Sequence, residues 1–191
     1  MAQWAPASDA SAARAAARRL YLLFRIGGDR YALDAGDVVE VLGMRVLKQV
    51  PGAPAWVAGM LDRRGVPVPV IDMSQLAGKG AAAAVTSTRL ALVRYGVDAA
   101  DGGDSGRLLG LILEQATETV HYDPAAFTPY GLDNPGARYL GPVLSDAQGM
   151  VQAVKVADLL PASVRALLYP PQERGGENDE PNAVAHHGGQ P

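Results

Sequence analysis

Residues 20–34 read LYLLFRIGGDRYALD, and this segment determines the fold class that the sequence predicts. From Leu20 to Ile26, one set of apolar side chains recurs at every second position, a period that is typical of a β-strand. Gly27-Gly28-Asp29 supplies a tight turn, after which Tyr31-Ala32-Leu33 returns as a second strand. The segment therefore predicts a β-hairpin.

The same pattern recurs in the second half of the chain. A strand at residues 90–96 leads into a polar loop, 98–106, and residues 108–113 form the return strand. Residues 57–60, Val-Ala-Gly-Met, likewise resemble residues 139–142, Tyr-Leu-Gly-Pro. We interpret these matches as an internal duplication of a five-stranded unit. Small units of this kind close into barrels because closure removes exposed sheet edges.

The duplication also suggests how the chain is divided. We predict an Ala/Arg-rich N-terminal extension at 1–18, a double-barrel domain at 19–169 and a C-terminal tail at 170–191. Residues 78–87, which include four consecutive alanines, are the predicted hinge between the two halves. The tail has almost no apolar side chains to bury, so we predict that it is disordered. The predicted fold class is all-β with short helices.

One predicted strand alternates valine with proline. Residues 66–72 read VPVPVID, and proline cannot donate a hydrogen bond to a sheet, so this pattern predicts an edge strand. The turn before it, Asp62-Arg63-Arg64-Gly65, places two arginines at the rim of the barrel. A rigid edge strand beside a basic turn is either a docking surface or simple edge protection, and the sequence leaves both interpretations open.

Composition excludes several classes of function. The chain has no cysteine, which excludes disulfides, thiolate nucleophiles and cysteine-ligated metals. A net charge of −3 gives no electrostatic reason to expect nucleic acid. The longest early apolar stretch, Leu20 to Phe24, is too short for a signal peptide, and no stretch is long enough for a membrane span. We therefore expect a cytoplasmic protein that does not insert into the membrane.

Residues with catalytic potential are few. His121 lies in a strand-like run without a Gly-x-Ser-x-Gly motif, and residues 102–106 are glycine-rich but lack the lysine of a phosphate-binding loop. Two carboxylates, for example Asp72 and Glu114, could in principle form a glycosidase site, although the chain has few aromatic residues to hold a sugar. We predict no catalytic residue, no cofactor and no metal.

Residues 31–72 resemble a known family. The segments that match are YALD at 31–34, VVEV at 38–41, PAWVAG at 54–59 and RGVPVPVID at 64–72. In this order and spacing they are similar to the CheW family of chemotaxis adaptors, and the resemblance resumes at Leu109 and covers about residues 20–168. It implies two SH3-like five-stranded barrels that share a core, in agreement with the duplication.

The resemblance also implies a function. Members of the family are non-catalytic adaptors that couple the cytoplasmic tip of a methyl-accepting receptor to the regulatory domain of a CheA-type histidine kinase. Matching positions place Val38, Glu40 and Arg64 on the receptor-facing side, with Glu40 and Arg64 offering a charge pair. Met44 and Leu47, which lie in a turn-rich region, are the predicted kinase-binding residues. Recruitment to receptor clusters at the inner membrane is then expected.

The chain departs from the family pattern at a few positions. Asp62-Arg63 replaces the usual Asn-Leu, Leu42 replaces a residue that is often basic, and Met73-Ser74 replaces Leu-Arg. These departures favour a dedicated signalling system. Residues 109–119, 139–143 and 164–168 are similar to the WspB branch of the family. Its members act in Wsp-type surface sensing, where the output is cyclic-di-GMP and biofilm formation.

Two other classes of function stay open at this point. A small β-barrel can bind nucleic acid through aromatic and basic side chains, but the net charge of −3 and the few strand aromatics disfavour this alternative. A carbohydrate enzyme with paired carboxylates is the less favoured second alternative. Turnover lost on changing Asp72 or Glu114 would support that enzyme.

Overall fold

The computed structural model of this chain describes residues 18–96, 106–131 and 134–170. Nine strands make up about half of it: β1 Arg19–Ile26, β2 Asp29–Asp34, β3 Val38–Gly43, β4 Val57–Arg63, β5 Val66–Asp72, β6 Arg89–Tyr95, β7 Arg107–Tyr122, β8 Leu140–Asp146 and β9 Gly149–Val154. The helices are α1 Met73–Leu76 and α2 Ala162–Leu168, with 3₁₀ turns at Pro124–Ala126, Pro135–Ala137 and Val156–Asp158.

Parts of the predicted architecture fall outside these ranges. The described residues include only the last position of the predicted extension, 1–18, and the first position of the predicted tail, 170–191. Most of the predicted polar loop, 98–106, also lies outside them. No helix of the described residues is long and apolar enough to span a membrane.

Both predicted hairpins are present. β1 and β2 pair antiparallel from Tyr21 opposite Asp34 to Ile26 opposite Asp29, and they are joined by the Gly27-Gly28 turn. Gly27 has a φ of +60°, a left-handed conformation that glycine adopts without steric cost. β6 and β7 pair antiparallel in the same way, from Arg89 opposite Leu113 to Tyr95 opposite Arg107. The alternation of apolar residues therefore predicted these elements correctly.

β7 belongs to two barrels at once. Its first half, Arg107–Leu113, pairs with β6 on one side and with β5 on the other. Its second half, which follows the left-handed residue Gln115 (φ 51°), pairs with β1. We name barrel 1 the unit formed by β3, β4, β5, β6 and the first half of β7. Barrel 2 contains β1, β2, β8, β9 and the second half of β7.

Each barrel combines strands from both halves of the sequence. The β1–β2 hairpin pairs with β7 and β9 in barrel 2, whereas the β6–β7 hairpin pairs with β3 and β5 in barrel 1. The parallel pairing of β2 with β9 in barrel 2 corresponds to the parallel pairing of the first half of β7 with β5 in barrel 1. Each repeat therefore contributes its first hairpin to the barrel that contains the remaining strands of the other repeat. Residues 78–87, the predicted hinge, join α1 to β6 and so connect elements on the barrel 1 side.

Three apolar clusters fill the interior, and the largest lies between the barrels. Alternate residues of β1 face opposite clusters, with Leu22, Phe24 and Ile26 in the shared cluster and Tyr21 and Leu23 inside barrel 2. β6 does the same: Ala91, Val93 and Tyr95 join the shared cluster, and Leu90 and Leu92 fill barrel 1. Both faces of these strands are buried, which confirms that the two barrels share a core.

β5 is an edge strand over only part of its length. Pro67 and Pro69 pair with β4 alone, as their missing N–H groups require. Val70, Ile71 and Asp72 also pair with β7 on the other side, so the prediction of an edge strand is wrong for this second half. The prolines cannot hydrogen-bond through their nitrogens, whereas the proline-free residues 70–72 can bond on both sides where a neighbouring strand reaches them.

Candidate functional site

An exposed apolar and basic surface runs along one edge of barrel 1. β3 pairs only with β6 among the described strands, so its other edge is free. We name the β3–β4 rim the surface formed by β3, residues 44–48 and the β4–β5 turn at residues 63–66. Exposed apolar side chains are concentrated there: Val39, Val41, Met44, Val46 and Val66. Large apolar side chains grouped at a surface indicate an interaction site more often than isolated ones do.

The predicted receptor-facing residues Val38 and Glu40 lie on opposite faces of β3. The register shifts between them, because Val38 lies opposite Val93 whereas Glu40 lies opposite Leu92. Val38 is half-buried and packs against the shared core, as Val93 does. Glu40 is exposed at the rim. A bulge of this kind redirects a side chain, and the one-letter pattern VVEV contains no sign of it.

Glu40 forms its ion pair with Arg63 and not with Arg64. The Arg63 Nη2 to Glu40 Oε2 distance is 3.4 Å, and the two side chains are 32% and 42% exposed. Arg64, which the sequence predicted to offer a charge to the receptor tip together with Glu40, is not part of this ion pair. Arg63 is the last residue of β4, whereas Arg64 lies in the turn and is exposed.

The β4–β5 turn presents Arg64 to solvent through an unusual backbone conformation. Arg64 and Gly65 have φ values of 56° and 83°, so both are left-handed, as a tight two-residue hairpin turn requires. The Gly65 N–H donates to Asp62 Oδ1 at 2.7 Å, which closes the turn. The Arg64 guanidinium makes no ion pair or hydrogen bond within the described residues, and it is therefore free to bind a partner.

The two predicted kinase-binding residues differ in accessibility. Met44 is exposed, but Leu47 is half-buried and packs against the interior of barrel 1. The chain is held there by Lys48 and Met60, which exchange two backbone hydrogen bonds of 2.9 and 2.7 Å. Val46, at 97% exposure, was missed by the sequence reasoning. The spacing of Met44 and Val46 was the available signal, since alternate residues of an extended segment share a face.

The two carboxylates that could have formed a glycosidase pair are occupied in holding a loop. Asp72 is buried, and its carboxylate accepts hydrogen bonds from the N–H groups of Ser74, Gln75 and Ala82 at 2.9, 3.1 and 2.7 Å. Glu114 accepts from the Ala83 N–H at 2.6 Å. Together they fasten the segment 78–87. Asp72 is thus the N-cap of α1, and Glu114 is a hydrogen-bond acceptor for the loop.

A second polar cluster closes barrel 2. Arg30 donates two hydrogen bonds to Asp146, at 2.7 and 3.0 Å, and the Tyr122 hydroxyl donates a third at 2.6 Å. The bond from Arg30 holds the pKa of Asp146 far below its usual range, while burial, followed by the hydrogen bond to Asp146, raises the pKa of Tyr122 to about 12. The cluster joins β2, β7 and β8, which indicates a structural role. His121, next to it in sequence, is exposed.

The fold and the rim together define the class: an all-β protein of two SH3-like barrels with a shared core and one exposed apolar edge. A family model for the CheW-like domain matches residues 20–164, which span both barrels. The chain therefore belongs to the CheW-like domain family. The crystal structure of the scaffolding protein TtCheW from Thermoanaerobacter tengcongensis has the same fold, with a TM-score of 0.64 and 22% identity over 75% of this chain and 88% of that chain.

Curated relatives match shorter segments. Protein FrzA of Myxococcus xanthus is 33% identical over 81 residues, which cover 42% of this chain and 51% of FrzA. Chemotaxis protein CheW of Rhizobium meliloti (strain 1021) is 33% identical over 64 residues, which cover 34% of this chain and 41% of that protein. The chain thus spans about half or less of the length of these relatives.

Proposed function

We propose that this chain is a non-catalytic cytoplasmic adaptor that couples a methyl-accepting chemotaxis-type receptor to a CheA-type histidine kinase. The observation that carries the proposal is the CheW-like match, which spans both barrels from residue 20 to 164. The β3–β4 rim supports it, because an exposed apolar edge beside free arginines fits a protein partner. The adaptor would then be recruited to receptor clusters at the inner membrane.

The receptor tip is assigned to Val38, Glu40 and Arg64. Arg64 supports this assignment, because its guanidinium is exposed and held outward by the turn. Val38 contributes an apolar contact from its half-buried position, and Glu40 is exposed on the opposite face of β3. The kinase regulatory domain is assigned to Met44 and its exposed neighbour Val46, with Leu47 supporting them from the barrel 1 interior.

The first experiment measures binding of the full chain to the tip fragment of its cognate receptor and to the regulatory domain of its cognate kinase, by titration calorimetry. Arg64→Glu is expected to weaken receptor binding about tenfold or more and to leave kinase binding unchanged, since an interfacial charge is reversed. Met44→Asp is expected to do the opposite. Met44 serves better than Leu47, because an acid at Leu47 would also unfold part of barrel 1.

Arg138→Glu is the matched control for this experiment, because Arg138 is an exposed arginine outside the rim. It should bind both partners as the wild type does. A folded wild-type chain that binds neither partner would contradict the adaptor function. Equal losses of both partners in the Arg64 variant would contradict the separate assignment of the two surfaces.

Within the family we propose a WspB-type role, in which kinase output controls cyclic-di-GMP and biofilm formation. The departures Asp62-Arg63 and Met73-Ser74 support a dedicated system, and residues 109–119 and 139–143 support this branch. Deleting the adaptor is then expected to lower cellular cyclic-di-GMP and surface attachment without altering swimming chemotaxis. A deletion that abolishes swimming chemotaxis and leaves cyclic-di-GMP unchanged would contradict this role.

A further inference from the structure

The β3–β4 rim has the opposite sign of charge from the chain as a whole. Its cations are Arg45, Lys48, Arg63 and Arg64, and its carboxylate is Glu40, with Asp62 at its border. Arg45, Lys48 and Arg64 are exposed and make no ion pair within the described residues, whereas Glu40 is paired with Arg63. The net charge of the whole chain is −3. A partner that is apolar and acidic would complement this surface in both respects.

Arg63 uses only a small part of its hydrogen-bonding capacity, although its Nε is shielded from solvent. A guanidinium has five N–H donors, and within the described residues only Nη2 has an acceptor, Glu40 Oε2 at the long distance of 3.4 Å. The Nε atom is shielded from solvent and has no hydrogen-bond partner. Packing at the end of β4 therefore fixes the root of the side chain, while its terminal nitrogens remain available.

The ion pair with Glu40 is of a kind that a partner can replace. Both side chains are partly exposed, at 32% and 42%, and such surface pairs contribute little to stability. A carboxylate that approaches the arginine in a bidentate geometry makes shorter and stronger hydrogen bonds than this single long contact.

We propose that Arg63 is a specificity-determining residue that selects a receptor tip bearing a carboxylate, which it binds directly in exchange for Glu40. The proposal rests on the proposed function and names the chemistry of the partner. A leucine at this position offers only apolar contact and does not distinguish charge. The arginine favours an acidic tip, and it disfavours a basic one through like-charge repulsion.

A double-mutant cycle with the full chain and the tip fragment of its cognate receptor tests this proposal. Arg63→Leu is expected to weaken binding roughly tenfold and to reduce its dependence on salt, both in the wild type and in the Glu40→Gln background. Arg63→Lys should bind with intermediate affinity, because an ammonium is a point charge without the planar fork. Arg138→Leu is the matched control and should bind as the wild type does.

The possible outcomes separate this proposal from the one on which it rests. If Arg63→Leu weakens binding in the wild type but has no effect in the Glu40→Gln background, Arg63 only positions Glu40 and the proposal is overturned. Unchanged affinity of Arg63→Leu in both backgrounds overturns it as well, while the adaptor function stands. A folded wild-type chain that does not bind the receptor tip overturns both. Unaltered thermal unfolding of the variants confirms that a loss reflects binding.

Discussion

Arg64 combines an unfavourable backbone conformation with a free side chain. Its φ of 56° lies in the left-handed region, where a residue with a Cβ is strained by about 1–2 kcal/mol. Asparagine tolerates this region better, and Asn-Gly is the preferred pair for a two-residue hairpin turn. Strained residues of this kind are frequent at functional sites, because folding alone does not favour them. The strained conformation of Arg64 supports the proposal that its side chain contacts a partner.

We therefore expect Arg64→Asn to stabilise the fold and weaken receptor binding. Relief of backbone strain should add about 1 kcal/mol to the free energy of unfolding, which raises the melting temperature by about 2–4 °C in a chain of this size. Thermal unfolding and titration with the receptor tip measure the two effects on one sample. A variant that melts at a lower temperature would show that the Arg64 side chain contributes to folding.

Arg30 and Asp146 form the best-satisfied ion pair among the described residues. Their side chains are 9% and 22% exposed, and the carboxylate also accepts hydrogen bonds from Tyr122 and from the N–H of Gln148. The folded pKa of Asp146 lies below its unfolded value of about 3.9, chiefly because of the hydrogen bond from Arg30. The resulting stabilisation is complete above that unfolded value and is lost as the pH falls towards the folded pKa.

Arg30→Met is expected to lower the free energy of unfolding by about 2–4 kcal/mol at pH 7, because it leaves a largely buried carboxylate without its cation. Between pH 5 and about pH 3 the variant should lose less stability than the wild type, since the pKa of Asp146 is then less depressed. Urea unfolding at both pH values measures this. Arg19→Met is the control: its pair with Asp34 is exposed, with Arg19 at 65%, and should contribute less than about 1 kcal/mol.

At the scale of elements, the segment 78–87 behaves as a fastened loop. The carboxylates of Asp72 and Glu114 hold its Ala82 and Ala83 N–H groups, and the Thr88 hydroxyl donates to the Ala83 carbonyl at 2.6 Å. From its position and its run of alanines the sequence predicted a hinge between the two halves. The carboxylates lie outside the segment, one before it and one on β7, so the segment's own composition could not indicate these hydrogen bonds.

β5 illustrates how local and distant constraints meet within one strand. Its prolines prevent pairing on one side, and this part could be predicted from the pattern. Its last three residues pair with β7 because Gly110 leaves room there. A Cβ at Gly110 would lie 2.8 Å from Val70 Cγ2, so only glycine permits the two strands to approach. No local pattern in VPVPVID specifies this contact.

At the scale of the whole molecule, the exchanged hairpins make the two barrels interdependent. Separating the halves of the chain would break the pairings β1–β7, β2–β9, β3–β6 and β5–β7. It would also expose the largest apolar cluster, which lies between the barrels. Burial of apolar surface is the main favourable contribution to folding, so we expect one cooperative unit.

Cutting the chain between its halves tests this expectation. A specific protease site is inserted after Gly80, in the exposed part of the segment 78–87, and the chain is cleaved after folding. The two fragments are expected to elute together in size-exclusion chromatography and to unfold in one transition. Two consecutive, independent barrels would separate. Fragments that part without denaturant would contradict the interdependence, and the same sample in urea is the control for complete cleavage.

The sequence alone determined the strands, the hairpins, the all-β class and the family resemblance, because alternation and turn chemistry are local properties of the chain. It also placed Arg64 in a turn at the rim of the barrel. Only the tertiary structure decided which hairpin completes which barrel. Only the structure, too, shows the bulge in β3 between Val38 and Glu40 and the ion pair of Glu40 with Arg63. These outcomes depend on strand register and on contacts between residues distant in sequence. The two repeats have the same local sequence pattern, so each hairpin could pair with the strands of either repeat. Only the packing of the shared core distinguishes the two arrangements.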